Sequence, residues 1–163
     1  MEVLVFRHGP AGDKKDWLAS GKDDAQRPLT PEGRDKTRKA ADGLAALVDR
    51  VDVIASSPLA RAAQTADELA PRFKKAKRVT LRELQPEVDP AKAAARVLAL
   101  DAERVAVVGH EPQLSGVIGA LLGAAVPLDL KKAGACLIAL EAPRPATGKL
   151  VWLLTPKQLR GLR

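Results

Sequence analysis

Two short apolar runs, far apart in the chain, end in the same way. Residues 3–6 (Val-Leu-Val-Phe) are followed by Arg7-His8-Gly9, and residues 105–108 (Val-Ala-Val-Val) are followed by Gly109-His110. Short apolar runs rich in β-branched residues and bounded by glycine predict buried strands. The chain has only two histidines, and each follows one such strand, at the edge where open α/β sheets bind ligands. We therefore expect them to share one site; the alternative is two unrelated core or loop histidines.

Strand and helix patterns alternate along most of the chain. Strands are predicted at residues 3–6, 51–57, 79–81 and 105–108, and helices start at Thr30-Pro31-Glu32, at Pro58, at Asp89-Pro90 and after His110, the last ending near Gly123. A hydroxyl or carboxylate cap followed by proline is typical of a helix start, and glycine of a helix end. The alternation of strand and helix implies parallel strand pairing with right-handed crossovers.

The end of the chain has a different pattern. Two predicted strands, residues 135–140 and 150–154, flank a turn segment at 142–148 that contains proline and glycine, as in an antiparallel pair. The sequence therefore predicts an α/β fold. We expect a three-layer sandwich whose central sheet is mostly parallel, with an antiparallel edge and helices on both faces.

Length and composition favour one domain over residues 1–163, because 46% of the residues are hydrophobic, 29% are charged, and no composition break divides the chain. The amino terminus has no basic region before its apolar run, and no stretch reaches membrane-spanning length. The lone Cys136 lies in an apolar run, which excludes an internal disulfide and favours a core position. We expect a cytoplasmic protein that does not contact membranes.

The net charge of +7 favours anionic partners. Aromatic residues make up only 2% of the chain and tyrosine is absent, which disfavours nucleic acid because there is little on which bases could stack. The densest basic cluster, residues 72–78, is interpreted as a solvated helix end and connecting loop. The expected partner is a phosphorylated substrate, and the sequence assigns no oligomeric state.

Residues 10–29 are polar and charged, with almost no apolar periodicity. We predict a long loop that leaves directly from the Arg7-His8 corner. Long loops in compact domains are usually functional or mobile. This one is expected either to form a rim that selects substrate or to be a tolerated surface insertion.

Four side chains are predicted to converge at the carboxyl edge of the sheet: Arg7, His8, Arg61 and His110. Arg61 falls in the first turn of the helix that follows Pro58, close to the positive pole that attracts anions. A guanidinium offers paired N–H donors to phosphate oxygens, and a neutral imidazole can act as a nucleophile toward phosphorus. The set predicts a pocket for a tetrahedral dianion.

The ordered motifs resemble those of the histidine phosphatase (phosphoglycerate-mutase-like) superfamily: Arg7-His8-Gly9, Ser57-Pro58 with Arg61 and Thr65, and Gly109-His110 with Pro112. The run Arg27-Pro28-Leu29-Thr30 with Gly33, and the short chain, resemble its compact branch, the SixA-type phosphohistidine phosphatases. The resemblance implies that His8 accepts the phosphoryl group, that Arg7, Arg61 and His110 bind its oxygens, and that neither metal nor cofactor is needed.

Larger members of this superfamily use a glutamate to protonate the leaving oxygen, and Glu83, after the third predicted strand, is the carboxylate placed to do so. Compact members manage without such an acid, so Glu83 either has this role or only holds an arginine. A leaving imidazole needs less help than an alkoxide. Glu111 is interpreted as a helix-start charge.

Other functions remain open from the sequence. The basic composition also fits a phosphatase acting on small phosphomonoesters or short polyphosphate, and a non-catalytic phosphate-binding module would use the same pocket. A two-histidine metal site would need a third ligand, such as Asp16, Asp23 or Asp24. Two arginines beside the histidines oppose cation binding.

Overall fold

The computed structural model describes residues 1–141 and 147–162. The strands are β1 (Glu2–Arg7), β2 (Val53–Ser56), β3 (Lys77–Thr80), β4 (Arg104–Gly109), β5 (Ala135–Ala139) and β6 (Lys149–Leu154). The helices are α1 (Lys14–Ala19), α2 (Pro31–Leu47), α3 (Ala60–Leu69), α4 (Pro90–Leu98), α5 (Gln113–Leu122) and α6 (Pro156–Arg160), and two 3-10 turns cover Asp24–Gln26 and Arg82–Leu84.

The strands form one mixed sheet in the order β3-β2-β4-β1-β5-β6. The pairs β3·β2, β2·β4 and β4·β1 are parallel, while β1·β5 and β5·β6 are antiparallel. Arg7 lies opposite Gly109 in the register of β1 and β4, and the His8 N–H donates to the Gly109 carbonyl at 3.0 Å. The two central strands therefore end side by side, each followed by a histidine.

Helices cover both faces of the sheet because the central strands are apolar on both sides. Val3 and Val5 pack in one buried cluster with residues of α4 and α5. Leu4 and Phe6 pack in the other, with residues of α2, α3 and α6. Burying each such side chain contributes about 1.5–3 kcal/mol. The predicted three-layer α/β fold with an antiparallel edge is confirmed.

Helix ends follow the predicted capping residues. The Thr30 hydroxyl accepts from the Gly33 N–H at 2.9 Å at the start of α2, and Asp89 accepts from the Ala91 N–H at 2.9 Å at the start of α4. Gly123 ends α5 with a φ of 69°. Within the described part of the chain, each helix is too short or too polar to cross a lipid bilayer.

Three local predictions need correction. Residues 10–29 are not a structureless loop, since they contain α1 and the 3-10 turn Asp24–Gln26. The helix predicted to start at Pro58 is α3, which starts at Ala60. The short helix α6 was not predicted. Within the basic cluster, residues 77 and 78 belong to β3 instead of a loop. Most of the predicted turn at 142–148 lies outside the described residues.

Candidate active site

The structure brings Arg7, His8, Arg61 and His110 to the wall of one cavity of about 580 Å³ at the carboxyl edge of the sheet. His8 and His110 follow β1 and β4, and Arg61 is the second residue of α3. The two imidazole centroids lie 5.1 Å apart. Two histidines and two arginines from three separate parts of the chain therefore face a common space.

The His8 ring is held by the backbone of the next residue. Its Nδ1 lies 2.7 Å from the Gly9 carbonyl oxygen, so Nδ1 carries the proton, and Nε2 keeps its lone pair. Gly9 is required here, since a Cβ would lie 1.9 Å from the Thr37 hydroxyl oxygen. The Gly9 N–H also donates to Thr65 Oγ1 at 2.9 Å. The motif thus fixes the ring in a nucleophilic tautomer.

His110 is held through its other ring nitrogen, by the side chain of Ser57. The Leu59 N–H donates to Ser57 Oγ at 3.3 Å, and the same hydroxyl lies 2.9 Å from His110 Nε2. We assign the hydroxyl proton to the contact with Nε2, which places the ring proton on Nδ1. Nδ1 is buried and has no hydrogen-bond partner among the described residues. His110 consequently offers an N–H donor.

Arg7 is bound through Nη1 and Arg61 through both Nη1 and Nη2, and Nε of each arginine has no partner among the described residues. Arg7 donates from Nη1 to the Leu130 carbonyl at 2.5 Å and pairs with Asp129 at 3.3 Å. Arg61 donates to the Asp24 carbonyl at 2.9 Å and to its carboxylate at 3.1 Å. Both Nε atoms are buried and lack a partner in the described part of the chain. Arg7, Arg61 and His110 thus line the cavity, and each has one buried donor without a partner in that part of the chain: the two Nε–H groups and His110 Nδ1–H.

Both imidazoles are neutral at physiological pH. Burial lowers the pKa of His8 to about 3, against a raising effect of the Gly9 hydrogen bond, and the charges of Arg61, Arg7 and Lys132 lower it further. Burial likewise lowers the pKa of His110 to about 3, with further lowering from His8 and Arg61. A lone pair for attack is therefore available throughout the physiological range.

Asp24 and Arg27 also belong to the cavity wall; the sequence suggested Asp24 only as a possible metal ligand and Arg27 only as part of a motif. Arg27 Nε donates to the Asp24 carboxylate at 2.8 Å, and Arg27 Nη1 donates to the Gly12 carbonyl at 2.6 Å. Burial alone would raise the pKa of Asp24, but the Arg27 hydrogen bond and the charges of Arg61, Arg27 and Lys14 hold it below its ordinary value. Asp24 is thus an anion shared by two buried arginines. The Arg27-Pro28-Leu29-Thr30 motif was the available signal.

The segment after α5 completes the wall. Glu111 accepts from the Leu130 N–H at 2.9 Å and from the Ser115 N–H at 3.2 Å, so it tethers this segment to the start of α5. Ala133 has a φ of 61°, in the left-handed region, and its N–H lies 3.1 Å from the Arg7 carbonyl and 3.2 Å from the His8 carbonyl. The interpretation of Glu111 as a helix-start charge holds, and it has a second contact that the sequence did not indicate.

Glu83 is not among the residues that line the cavity, so of its two predicted roles the structure favours holding an arginine over protonating the leaving oxygen. Its carboxylate lies 3.9 Å from Arg96 Nε. The reason is local: Gln113 Nε2 lies 2.8 Å from the Glu83 carbonyl and 2.7 Å from the Gln85 carbonyl, which anchors this segment by its backbone. Pro86 is the residue of the segment that reaches the wall.

Within residues 1–141 and 147–162, no group of three or more His, Cys, Asp or Glu side chains is placed to hold a metal ion. Asp24, one of the three suggested third ligands, is paired with two arginines. Cys136 is buried in the core, as predicted, and burial raises the pKa of its thiol to about 12.

Comparisons with known proteins agree with this geometry. The model of the histidine phosphatase superfamily (branch 1) matches residues 3–89. The phosphohistidine phosphatase SixA of Escherichia coli is 27% identical over 164 residues, covering 98% of this chain and 97% of that protein. A solved structure of the protein histidine phosphatase SixA complexed with tungstate superposes with a TM-score of 0.85 at 26% identity, covering 98% of this chain and 99% of that one. An uncharacterised protein of Picosynechococcus is 43% identical over 70 residues, which are 43% of this chain and 40% of that protein.

Proposed function

Since the chain belongs to the histidine phosphatase superfamily (branch 1), we propose that it hydrolyses phosphohistidine on a protein substrate through a covalent phosphohistidine intermediate on His8. The similarity to SixA over nearly the whole chain supports this substrate. One structural observation carries the proposal. Arg7, Arg61 and His110 line the same cavity as the neutral imidazole of His8, and each has one buried donor without a partner among the described residues: Arg7 Nε, Arg61 Nε and His110 Nδ1.

In the first step, His8 Nε2 attacks the phosphorus in line with the leaving nitrogen. The bond from Nε2 to phosphorus forms, and the bond to the substrate imidazole breaks with its electron pair going to that ring. The His8 ring becomes a phosphorylated imidazolium, whose Nδ1–H charge is stabilised by the Gly9 carbonyl at 2.7 Å. The three free donors bind the non-bridging oxygens, where charge is spread in the transition state.

In the second step, a water molecule attacks the phosphorus of phospho-His8. The oxygen–phosphorus bond forms, the nitrogen–phosphorus bond breaks, and His8 returns to its neutral Nδ1–H tautomer. The product leaves as dihydrogen phosphate, which loses a proton to solvent. No group in the wall has to gain or lose a proton permanently.

A dedicated general acid is not needed for this substrate. When the other ring nitrogen of the substrate phosphohistidine is protonated by solvent, the leaving group departs as neutral imidazole. An alkoxide, by contrast, requires a proton at the leaving oxygen. The position of Glu83 beside Arg96, outside the cavity wall, is consistent with this choice of substrate.

The experiment is to trap the intermediate. The protein is mixed with a ³²P-labelled phosphohistidine peptide, quenched in alkali and digested, and the labelled peptide is sequenced. We expect an acid-labile label on the peptide that contains His8 and no label in His8→Asn. Label on another residue, or turnover by His8→Asn at the wild-type rate, would contradict the mechanism.

A second candidate function is hydrolysis of small phosphomonoesters or short polyphosphate. The cavity favours it as far as the wall contains five cationic side chains, Arg7, Lys14, Arg27, Arg61 and Lys132. The two candidates are separated by comparing kcat/KM on a phosphohistidine peptide, sugar phosphates, nucleotides and tripolyphosphate. We expect the peptide to be preferred.

A further inference from the structure

We propose that Lys132 and Lys14 form a second anion subsite, which selects substrates whose leaving group carries its own negative charge beside the phosphoryl group. This inference rests on the proposed function, since it concerns the part of the substrate that departs from His8. It assigns to the rim of the cavity a role that the four residues of the phosphoryl site do not have.

The cavity is much larger than a phosphoryl group. Its volume is about 580 Å³, whereas a water molecule in the liquid takes about 30 Å³, so a group of four heavy atoms fills a small part of it. The remaining wall is contributed by residues 11–14, Pro86, Glu111 and Lys132. This part of the cavity must receive the leaving group.

The acidic side chains of the wall do not neutralise the two lysines. Asp24 is held between Arg27 and Arg61. Glu111 accepts from Ser115 and from the Leu130 N–H, and Asp13 caps α1 by accepting from the Asp16 N–H at 2.9 Å. Each carboxylate in the wall thus has a fixed partner of its own.

Lys132 is placed next to the phosphoryl site by its backbone. The following residue, Ala133, has a φ of 61° and directs its N–H to the carbonyls of Arg7 and His8. A non-glycine residue in the left-handed region is uncommon, and such strain is frequent at functional sites. The charge of Lys132 contributes to the low pKa of His8, and Lys132 has no ion pair with a described residue.

The second cation is Lys14, the first residue of α1, which lies in a different part of the chain from Lys132. It lines the cavity, and its charge contributes to the low pKa of Asp24. Like Lys132, Lys14 forms no ion pair within the described residues. By contrast Lys131, the residue before Lys132, pairs with Asp129 at 3.1 Å. Two unpaired ammonium groups on one wall fit a carboxylate or a second phosphate on the leaving group.

The test compares pairs of substrates that differ by one anionic group. The first pair is a phosphohistidine peptide with glutamate or with glutamine on both sides of the phosphohistidine. The second pair is 4-carboxyphenyl phosphate and phenyl phosphate. The variants are Lys132→Ala, Lys132→Gln and Lys14→Ala, and Lys15→Ala is the matched control because it removes the same charge next to Lys14 without lining the cavity.

We expect Lys132→Ala and Lys132→Gln to lower kcat/KM about threefold to fivefold on the anionic member of a pair, at low ionic strength, and to change it by less than about 1.5-fold on the neutral member. Lys14→Ala should act in the same direction, and Lys15→Ala should change both members equally. Discrimination confined to the peptide pair identifies an acidic protein segment as the anion, and discrimination in the aryl pair identifies a small phosphorylated acid.

If the lysine variants lose kcat/KM equally on both members of both pairs, the subsite is overturned. The proposed function still stands in that case, provided that the wild-type protein turns over substrate through His8. Failure of the wild-type protein to hydrolyse either pair would instead overturn the proposed function, and the subsite with it. Circular dichroism of the lysine variants checks that the fold is intact.

Discussion

The cavity has two walls of very different construction. The inner wall consists of Arg7, His8, Arg61 and His110, and three of these residues are between 2% and 6% exposed. The outer wall comes from residues 11–29, which we call the polar excursion. Its helix α1 and its 3-10 turn contain no buried residue. The proposed chemistry is thus performed by buried residues at strand ends and at the start of α3, and the proposed selection of substrate by two lysines, Lys14 of the polar excursion and Lys132 after α5.

A few contacts hold the polar excursion in place. Its ends meet in a bridge between Ala11 and Leu29, and the Leu29 N–H donates to Gln64 Oε1 at 2.9 Å. In the middle, Asp24 reaches Arg61 of the inner wall. Segments with few buried contacts open at a lower free-energy cost than core strands do. The inner wall thus depends on the apolar packing of the core, and the outer wall on a few hydrogen bonds and ion pairs.

The largest effect is expected from the inner wall. Replacing His8 by alanine removes the proposed nucleophile, so kcat/KM on a phosphohistidine peptide should fall at least about a thousandfold. The variant should still unfold in one cooperative transition, because the surrounding strands keep their contacts. Wild-type turnover by this variant would remove the distinction between the two walls.

The next prediction compares core and excursion directly. Ile54 in β2 is 0% exposed, and Leu18 in α1 is 48% exposed. Ile54→Ala should lower the free energy of unfolding by about 2–5 kcal/mol, and Leu18→Ala should change it by less than about 0.5 kcal/mol. Urea denaturation of both variants measures this, and equal losses would show that the excursion is part of the cooperative core.

The link between the walls gives the third prediction. Asp24→Asn weakens the pairing with Arg27 and Arg61, so Arg61 loses its orientation, and kcat/KM should fall about tenfold to thirtyfold. Asp23→Asn is the matched control, since the Asp23 carboxylate accepts from the Ala25 N–H in the same 3-10 turn and forms no ion pair with Arg27 or Arg61, whose pairs are with Asp24. Similar losses in both variants would mean that Asp24 acts through turn stability alone.

The last prediction concerns pH. The pKa of each histidine is about 3 in the folded protein and ordinarily 6.5, so the unfolded chain binds more protons between these values. Folding is therefore destabilised as the pH falls from 6.5 toward 3, by up to about 1.4 kcal/mol per pH unit for each histidine. In the His8→Asn/His110→Asn variant, the decline measured by urea denaturation at several pH values should be less steep. An unchanged slope would show that the histidines are not buried as neutral groups.

The residues of the inner wall could be predicted because they follow recognisable strand and helix-start patterns. Apolar runs ending at His8 and His110 indicated adjacent strand ends, and Pro58 placed Arg61 near a helix start. α6 could have been found as well, since Thr155 and Gln158 form a capping box with proline between them. A buried residue, Leu159, anchors that helix against α2, where the Leu159 carbonyl would clash with any Cβ at residue 43.

The outer wall could not be derived in the same way. α1 buries no residue, so no apolar periodicity indicates it. The pairing of Asp24 with Arg27 and Arg61 depends on how the chain folds back over α3. The sequence alone does not show which partner a charged side chain will have. Glu83 was correctly predicted to follow a strand. The hydrogen bonds of Gln113 hold that segment by its backbone, however, and Pro86 lines the cavity in place of Glu83.

The central claim is that Arg7, His8, Arg61 and His110 bind one phosphoryl group. A crystal structure of this protein grown with tungstate, read by anomalous scattering, tests it most directly. The account predicts one anion within hydrogen-bond distance of Arg7 Nε, Arg61 Nε and His110 Nδ1, with the metal atom facing His8 Nε2. Tungstate bound elsewhere at full occupancy, with these four side chains unoccupied, would contradict it.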